Sequence, residues 1–321
     1  MLNDASIQEL KTLLDKDNFD ELYAIADQVR KEHKGDIVNI RAILEFSNYC
    51  RKNCIYCGLN SHNSKLPRFR MMPEEMIHTA YQAHAAGYET IILQSGEDPY
   101  FTPQLLGEIV KEIKKTNITV TLSCGEMSYD DYAYLKECGA DRYLLKHETA
   151  NEALYAELHP GESLQHHLDC LRNIKKLGYG TGSGFMIGLP GQTTETIAKD
   201  ILLLKELGCD MAGIGPFISN PDTPLQGYAD GSPEMTKRAV ALARIIMSNI
   251  DLPATTALGV LDLTAKNDVF STGANVIMKK VTPNQYKKFY EIYPSQLTDT
   301  DIQKDRTELE KYIIKLGRIP V

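Results

Sequence analysis

The sequence predicts a (β/α)8 barrel preceded by a helical extension. Three observations carry this, the first two being that eight short, apolar, β-rich runs recur along the chain and that amphipathic helical patterns separate most of them. The third is size. A chain of 321 residues, 43% hydrophobic and 24% charged, is long and apolar enough for one barrel-sized core. Strand–helix alternation implies right-handed parallel crossovers. Eight such units in about 250 residues fit a closed barrel better than an open doubly wound sheet, the alternative architecture.

The runs are residues 37–47 (IVNIRAILEFS), 90–96 (TIILQSG), 119–125 (TVTLSCG) and 141–148 (DRYLLKHE). They continue with 180–188 (GTGSGFMIG), 211–217 (MAGIGPF), 253–258 (PATTAL) and 274–278 (ANVIM). Between the first two, PEEMIHTAYQAHAAG opens with Pro73, suited to a first helical turn, and stops at Gly87. TPQLLGEIVKEIKKT, SYDDYAYLKECG, SLQHHLDCLRNIKKLG, TETIAKDILLLKELG and SPEMTKRAVALARIIM repeat the pattern, with apolar residues at three- and four-residue steps. The connection over 259–273 is short and predicts no clear helix. Residues 1–35 therefore read as an N-terminal helical cap, and 36–321 as the barrel with a C-terminal helix.

A net charge of -8 argues against a nucleic-acid partner. The acidic N-terminal segment has no apolar core of signal type, and no run approaches the roughly 20 apolar residues of a membrane helix. The sequence reads as soluble and cytoplasmic, with no membrane association.

Seven cysteines cannot all pair. Cys124, Cys138, Cys170 and Cys209 are scattered singly and read as small buried hydrophobes. Cys50, Cys54 and Cys57 are clustered as C-x3-C-x2-C after the first strand, on the barrel face where chemistry sits. Thiolates suit zinc or an iron–sulfur cluster. Zinc needs a fourth ligand, for which His62 is the nearest candidate. An iron–sulfur cluster with three protein ligands leaves one iron open to bind something else.

This spacing, with Tyr56 before the last cysteine, resembles the radical S-adenosylmethionine (radical SAM) superfamily. Further features match in order. Ser95-Gly96-Glu97-Asp98-Pro99 resembles the strand-two Gly-Glu motif that holds the methionine amino group. Gly182 to Thr193 resembles the glycine-rich segment near adenosine. Gly213-Ile214-Gly215-Pro216-Phe217 resembles the segment whose backbone contacts adenine. The resemblance implies one 4Fe-4S cluster on Cys50, Cys54 and Cys57, S-adenosyl-L-methionine on its open iron, a low-potential electron donor, and a deoxyadenosyl radical that attacks a bound substrate.

From about residue 36 to about 295 the chain is similar to the HydE family of FeFe-hydrogenase maturases, within the biotin synthase and methylornithine synthase group. Glu45-Phe46-Ser47-Asn48, Leu93-Gln94-Ser95-Gly96-Glu97-Asp98-Pro99-Tyr100 and His147-Glu148-Thr149-Ala150-Asn151 carry the likeness. So do Pro216-Phe217, Pro253-Ala254-Thr255-Thr256-Ala257 and Gly273-Ala274-Asn275-Val276-Ile277-Met278. The resemblance implies an anaerobic enzyme acting on a cysteine-bound Fe(CO)2CN synthon, with other maturation proteins as partners. It implies that Tyr56, Gln94, Gly96, Glu97, Glu148, His167 and Pro216 surround S-adenosylmethionine. Thr121, Lys146, Met211, Thr255 and Thr256 would face the substrate cavity, although each of the threonines also suits a strand and Met211 a core. Glu148 has a physical reason beside the resemblance, since an unpaired carboxylate at a barrel-strand end is costly.

The chain departs from that family at Lys146, His159 and His167, where arginines are expected. In the arginines' place these side chains would still bind anions. No cysteine follows Cys209, so a second C-terminal cluster is absent. Two other readings stay open: a carrier of clusters or synthons, which needs no amino-acid and adenine sites, and a mutase or biotin synthase-like enzyme on another small substrate.

Overall fold

The computed structural model describes residues 5–294 and 299–321; residues 1–4 of the expected cap and 295–298 of the expected barrel unit lie outside them. Eight parallel strands run in the order β6-β5-β4-β3-β2-β1-β8-β7. They are β1 (Ile37–Ser47), β2 (Thr90–Ser95), β3 (Thr119–Ser123), β4 (Arg142–Leu144), β5 (Gly180–Ile187), β6 (Met211–Pro216), β7 (Pro253–Ala254) and β8 (Val276–Lys280). β6 and β7 are not paired as strands; the chain just before β7 meets β6 at one bridge, Met211 to Asp251, where Ala212 N–H donates to the Asp251 carbonyl at 3.0 Å. The barrel is thus closed at its N-terminal end and parted between these strands above it. A short β9 (Ile319–Pro320) pairs with the start of β1.

Helices α1 (Ile7–Leu14) and α2 (Asp20–Lys34) precede the barrel and pack on two of its outer helices. The outer layer contains α3 (Pro73–Ala85), α4 (Pro103–Lys114), α5 (Tyr129–Glu137), α6 (Glu152–Leu158), α7 (Leu164–Lys176), α8 (Thr194–Glu206) and α9 (Pro233–Ile246). α10 (Thr256–Leu261), α11 (Leu263–Asp268), α12 (Asn284–Lys287) and α13 (Ile302–Lys315) complete the chain. Local chemistry fixes many of the starts. Thr102, Ser128, Ser163 and Ser232 each accept a backbone N–H at their helix N-terminus, and prolines follow Thr102 and Ser232 directly.

Three expectations need correction. The run 253–258 is a strand only over Pro253–Ala254. Pairing with β8 ends there, and Thr255 becomes the cap of α10, which packs against β6 in the gap between β6 and β7. The β-branched pair suggested a strand, but Thr255 and Thr256 open a helix that packs on β6. The connection over 259–273 is helical, carrying the second half of α10 and all of α11. The run 141–148 is strand only through Leu144, because Glu148 adopts φ 59°, which strand residues do not.

Alternation along the strands divides core from interior. The guanidinium of Arg41 crosses the barrel to Met211 Sδ at 3.0 Å, so β1 points Arg41, Ile43 and Glu45 inward. Register then places Thr121, Arg142, Met278 and Lys280 on the same inner surface. The outer faces of the strands and the inner faces of the helices form the main apolar core.

One buried cation organises the β7–β8 junction. Arg244 donates to the carbonyls of Gly273 (2.9 Å) and Ser248 (2.7 Å) and to Asn275 Oδ1 (2.8 Å). Asn275 in turn binds Leu252 N–H and Asp251. Arg244→Met leaves three buried acceptors short of a donor. Urea denaturation should show a loss of about 3 kcal/mol or more; an unchanged midpoint would show that the junction closes without it.

Candidate active site

The three cysteines lie in the long loop between β1 and α3, at the C-terminal mouth of the barrel. Irregular backbone this long needs its polar groups satisfied. Arg68 supplies much of that, donating to the carbonyls of Asn48, Leu59, Asn60 and Asn63 at 2.5–3.1 Å. Backbone bonds tie Arg51 to Glu97, Ile55 to Leu158 and Gly58 to Ile292. Gly96 is required by this packing. A Cβ there would stand 2.3 Å from the Tyr49 carbonyl and 2.8 Å from Cys50 Cβ.

Cys50, Cys54 and Cys57 are half-buried. Burial raises all three thiols, Cys57 to about 12; repulsion from neighbouring sulfurs adds to this for Cys54 and Cys57, and the charge of Glu97 for Cys50. Ionised thiolates so placed need a cationic partner, as an iron–sulfur cluster provides. Among the described residues no three Cys, His, Asp or Glu side chains are arranged around a single ion. In a four-iron cluster each thiolate binds a different iron, so three thiolates need not converge on a single ion.

Around the loop runs a clasp of charge. Lys52 lies between Cys50 and Cys54 in sequence. It donates to Glu126 at 2.7 Å, also binds Glu162, and stands 3.8 Å from Glu97. Burial disfavours the ammonium, but hydrogen bonds to Glu126 and Glu162 and the charge of Glu97 outweigh it and raise Lys52. Glu97 accepts from Glu126 N–H at 2.8 Å and from Arg51 at 3.0 Å. Burial nonetheless pushes its carboxyl up. For Glu126 burial acts upward too, but hydrogen bonds from His167 (2.7 Å) and Lys52 bring it down to about 2.

Glu148 lies just beyond β4, and Lys146 binds it at 2.9 Å. Its field reaches Cys54, Cys57, Tyr56 and His159, so it faces the cysteine loop. Tyr56 OH is 3.0 Å from His159 Nε2, and His159 Nδ1 is 3.0 Å from the Tyr155 carbonyl. A carbonyl only accepts, so Nδ1 carries the proton and Nε2 accepts from Tyr56. Burial lowers His159 further. His159 is thus neutral and saturated, which corrects the expectation that it binds an anion. Gln94 meets Tyr290 OH at 3.3 Å, and Pro216 closes the β5–β6 pairing opposite Ile187.

The expected cavity residues separate into two levels. Thr121 and Met211 line a cavity of about 690 Å³ that reaches the N-terminal face, with Arg41, Arg142, Lys34 and Asp251. Lys146 and Thr255 stand elsewhere, beside β6. A Cβ on Gly213 would meet Lys146 at 3.6 Å, and one on Gly215 would meet Thr255 Oγ1 at 2.8 Å. Thr256 is the first residue of α10 and half-exposed. The sequence reading missed Arg41, Arg142, Lys52 and Glu126. Period-two placement on β1 and β4 was a usable signal for the arginines. For Glu126, the signal was a carboxylate just after β3.

Residues 44–204 match the family model of the Radical SAM superfamily. The chain belongs to that superfamily. Its members use a 4Fe-4S cluster and S-adenosylmethionine, and this chain is a radical SAM enzyme. It is 48% identical over 317 residues to the FeFe hydrogenase maturase subunit HydE of Thermotoga maritima, covering 98% of this chain and 90% of that protein. It is 28% identical to 3-methylornithine synthase of Methanosarcina acetivorans, covering 86% of this chain and 79% of the relative. Its fold matches the crystal structure of methylornithine synthase (PylB) with a TM-score of 0.87 and 24% identity, covering 98% and 94% of the two chains. The radical SAM barrel expected from sequence is therefore the barrel observed. Among the described residues no helix is long and apolar enough to cross a membrane.

The clasp has an acid signature. A carboxyl whose folded value lies below its unfolded one contributes stability above about pH 4.5, and that contribution is lost as pH falls toward 2. Urea midpoints measured across that window should fall less steeply for Glu126→Gln than for the parent chain. Parallel curves would mean that Glu126 titrates alike in both states.

Proposed function

We propose that this radical SAM enzyme is a maturase of FeFe-hydrogenase assembly acting on a cysteine-bound Fe(CO)2CN unit. The observation that carries the reading is the 48% identity over 98% of the chain to HydE. The barrel interior supports it. Arg41, Arg142, Lys146 and Lys280 all face inward, and a cyanide-bearing iron complex with a cysteine carboxylate is anionic. Thr121 Oγ1, Thr255 Oγ1 and Arg142 Nη1 are buried without a protein partner, which suits a polar guest.

On this reading Cys50, Cys54 and Cys57 hold the cluster, which when bound supplies the electron that cleaves S-adenosylmethionine to a 5'-deoxyadenosyl radical. Tyr56, Gln94, Gly96, Glu97, Glu148, His167 and Pro216 surround S-adenosylmethionine. The Gly96 backbone approaches the cysteine loop closely, and Glu148 offers an acceptor to the methionine ammonium. Glu126 and Lys52 keep Glu97 and His167 in place. Lys146, Thr255 and Thr256 line the upper part of the substrate space, and Thr121 and Met211, with Arg41 and Arg142, line the cavity below it. A low-potential electron donor and other maturation proteins are the implied partners.

A second reading, a mutase or sulfur-handling enzyme on a small amino acid, is favoured by one observation. Lys280 and Glu45 form a 2.8 Å ion pair on the inner wall, a pattern of opposite charges that suits a zwitterion. Expression of an FeFe hydrogenase in a host lacking its HydE separates the two. The chain should restore hydrogenase activity, and the Cys50, Cys54, Cys57 triple alanine variant should not. Deoxyadenosine production with consumption of a free amino acid, and no restored hydrogenase, would replace the first reading with the second.

The site assignment is tested on reconstituted protein. Iron analysis should give about four per chain, lost in the triple variant. Glu148→Gln should bind S-adenosylmethionine about ten- to a hundredfold more weakly with its iron intact. Equal affinity would move the methionine end of the site away from Glu148.

A further inference from the structure

Glu148 does not hold its conformation unaided. Its φ of 59° lies in the left-handed region, which is unfavourable for a residue with a Cβ. Its backbone is fixed from one side by β5: its N–H donates to Gly184 O at 3.0 Å, and its carbonyl accepts from Met186 N–H at 3.2 Å. The next peptide turns sharply, with Thr149 N–H on His147 O at 2.6 Å.

From the other side comes α8. Asp200 projects from it, fully buried, and its Oδ1 accepts the Ala150 N–H. The same Oδ1 stands 3.7 Å from Nε2 of His147, also fully buried. His147 Nδ1 meets Ser183 Oγ on β5 at 3.0 Å. His147 therefore bridges β5 to α8 directly beneath the turn that carries Glu148. Two atoms in this unit, His147 Nε2 and Asp200 Oδ2, are buried with no hydrogen-bond partner. Neither group reaches the cysteine loop, and nothing in the site described above uses them.

We infer that Asp200 and His147 are positioning residues for S-adenosylmethionine binding, acting through Glu148 as a charge-neutral pair with the proton on Asp200. Ser183 Oγ also accepts the His147 backbone N–H at 3.3 Å, so residue 147 is tied to β5 twice, while its Nε2 faces the Asp200 carboxyl at 3.7 Å, in contact but beyond hydrogen-bond reach. A carboxylate there would be a buried charge with no cation beside it, which is costly. Burial drives the two groups the same way, holding His147 down to about 3 and pushing Asp200 well up. The unit rests on the reading that Glu148 contacts S-adenosylmethionine.

The test is a double-mutant cycle on reconstituted holoenzyme, reading S-adenosylmethionine affinity by equilibrium dialysis with iron content as the control. Asp200→Ala should weaken binding about tenfold without loss of iron. Asp200→Asn, which keeps an acceptor for Ala150 and a neutral group toward His147, should stay within about threefold of the parent. In a Glu148→Gln background, Asp200→Ala should add less than about twofold, because the residue it acts through is already altered. Should Asp200→Ala yield no folded protein, Ser183→Ala frees His147 more gently and should show the same loss only when Glu148 is present. A full loss on top of Glu148→Gln, an Asn variant as weak as the Ala variant, or no effect of Asp200→Ala would overturn the inference. If Glu148→Gln itself binds normally, the site reading fails and the inference with it. If Glu148→Gln weakens binding while Asp200→Ala adds in full, the inference alone fails.

Discussion

The mouth of this barrel depends on one lysine. Lys52 sits inside the cysteine loop and gathers carboxylates from other loops: Glu97 after β2, Glu126 after β3 and Glu162 between α6 and α7. Without a cation the carboxylates would repel one another, and they surround thiols that burial already disfavours as thiolates. With it, the cysteine loop is tied to the ends of β2 and β3. Arg68 does the complementary work on the backbone, supplying donors to a loop with little regular structure.

The interior follows a different logic. Most barrels of this size fill their centre with branched apolar side chains. Here the inward positions of β5 and β6 include Gly182, Gly213 and Gly215, and the facing strands contribute arginine, lysine, threonine and methionine. Missing side chains make the room, and charged side chains set what fits it. Asp251 binds Arg41 and Lys34 at the N-terminal end, so the positive charge is partly neutralised there. Higher in the barrel Lys146 and Lys280 each meet one carboxylate.

The departures from the HydE pattern look different in three dimensions. Lys146 keeps a positive charge on Glu148. His167 meets Glu126, itself held strongly acidic by that contact and by Lys52. His159 abandons charge altogether and serves as the acceptor that orients Tyr56 beside Cys57. Three exchanges of one residue type thus have three separate outcomes, each decided by what stands opposite.

Periodicity and spacing by themselves determined the barrel, the order of its units and the cysteine loop at its mouth, because apolar repeats and a three-thiolate spacing are local properties of the chain. The run 141–148 already showed a carboxylate at a strand end, and the glycine segments showed where backbone had to approach closely. Only the tertiary structure decided where β7 stops, since Thr255 and Thr256 are good strand residues that became the start of a helix plugging the β6–β7 seam. It alone decided which charges meet: Lys52 with Glu126 across 74 positions and Arg41 with Asp251 across 210. A single sequence carries no pairing information over such separations. The energy of a buried charge depends on its partner and its distance from water, and both are set only when the barrel closes.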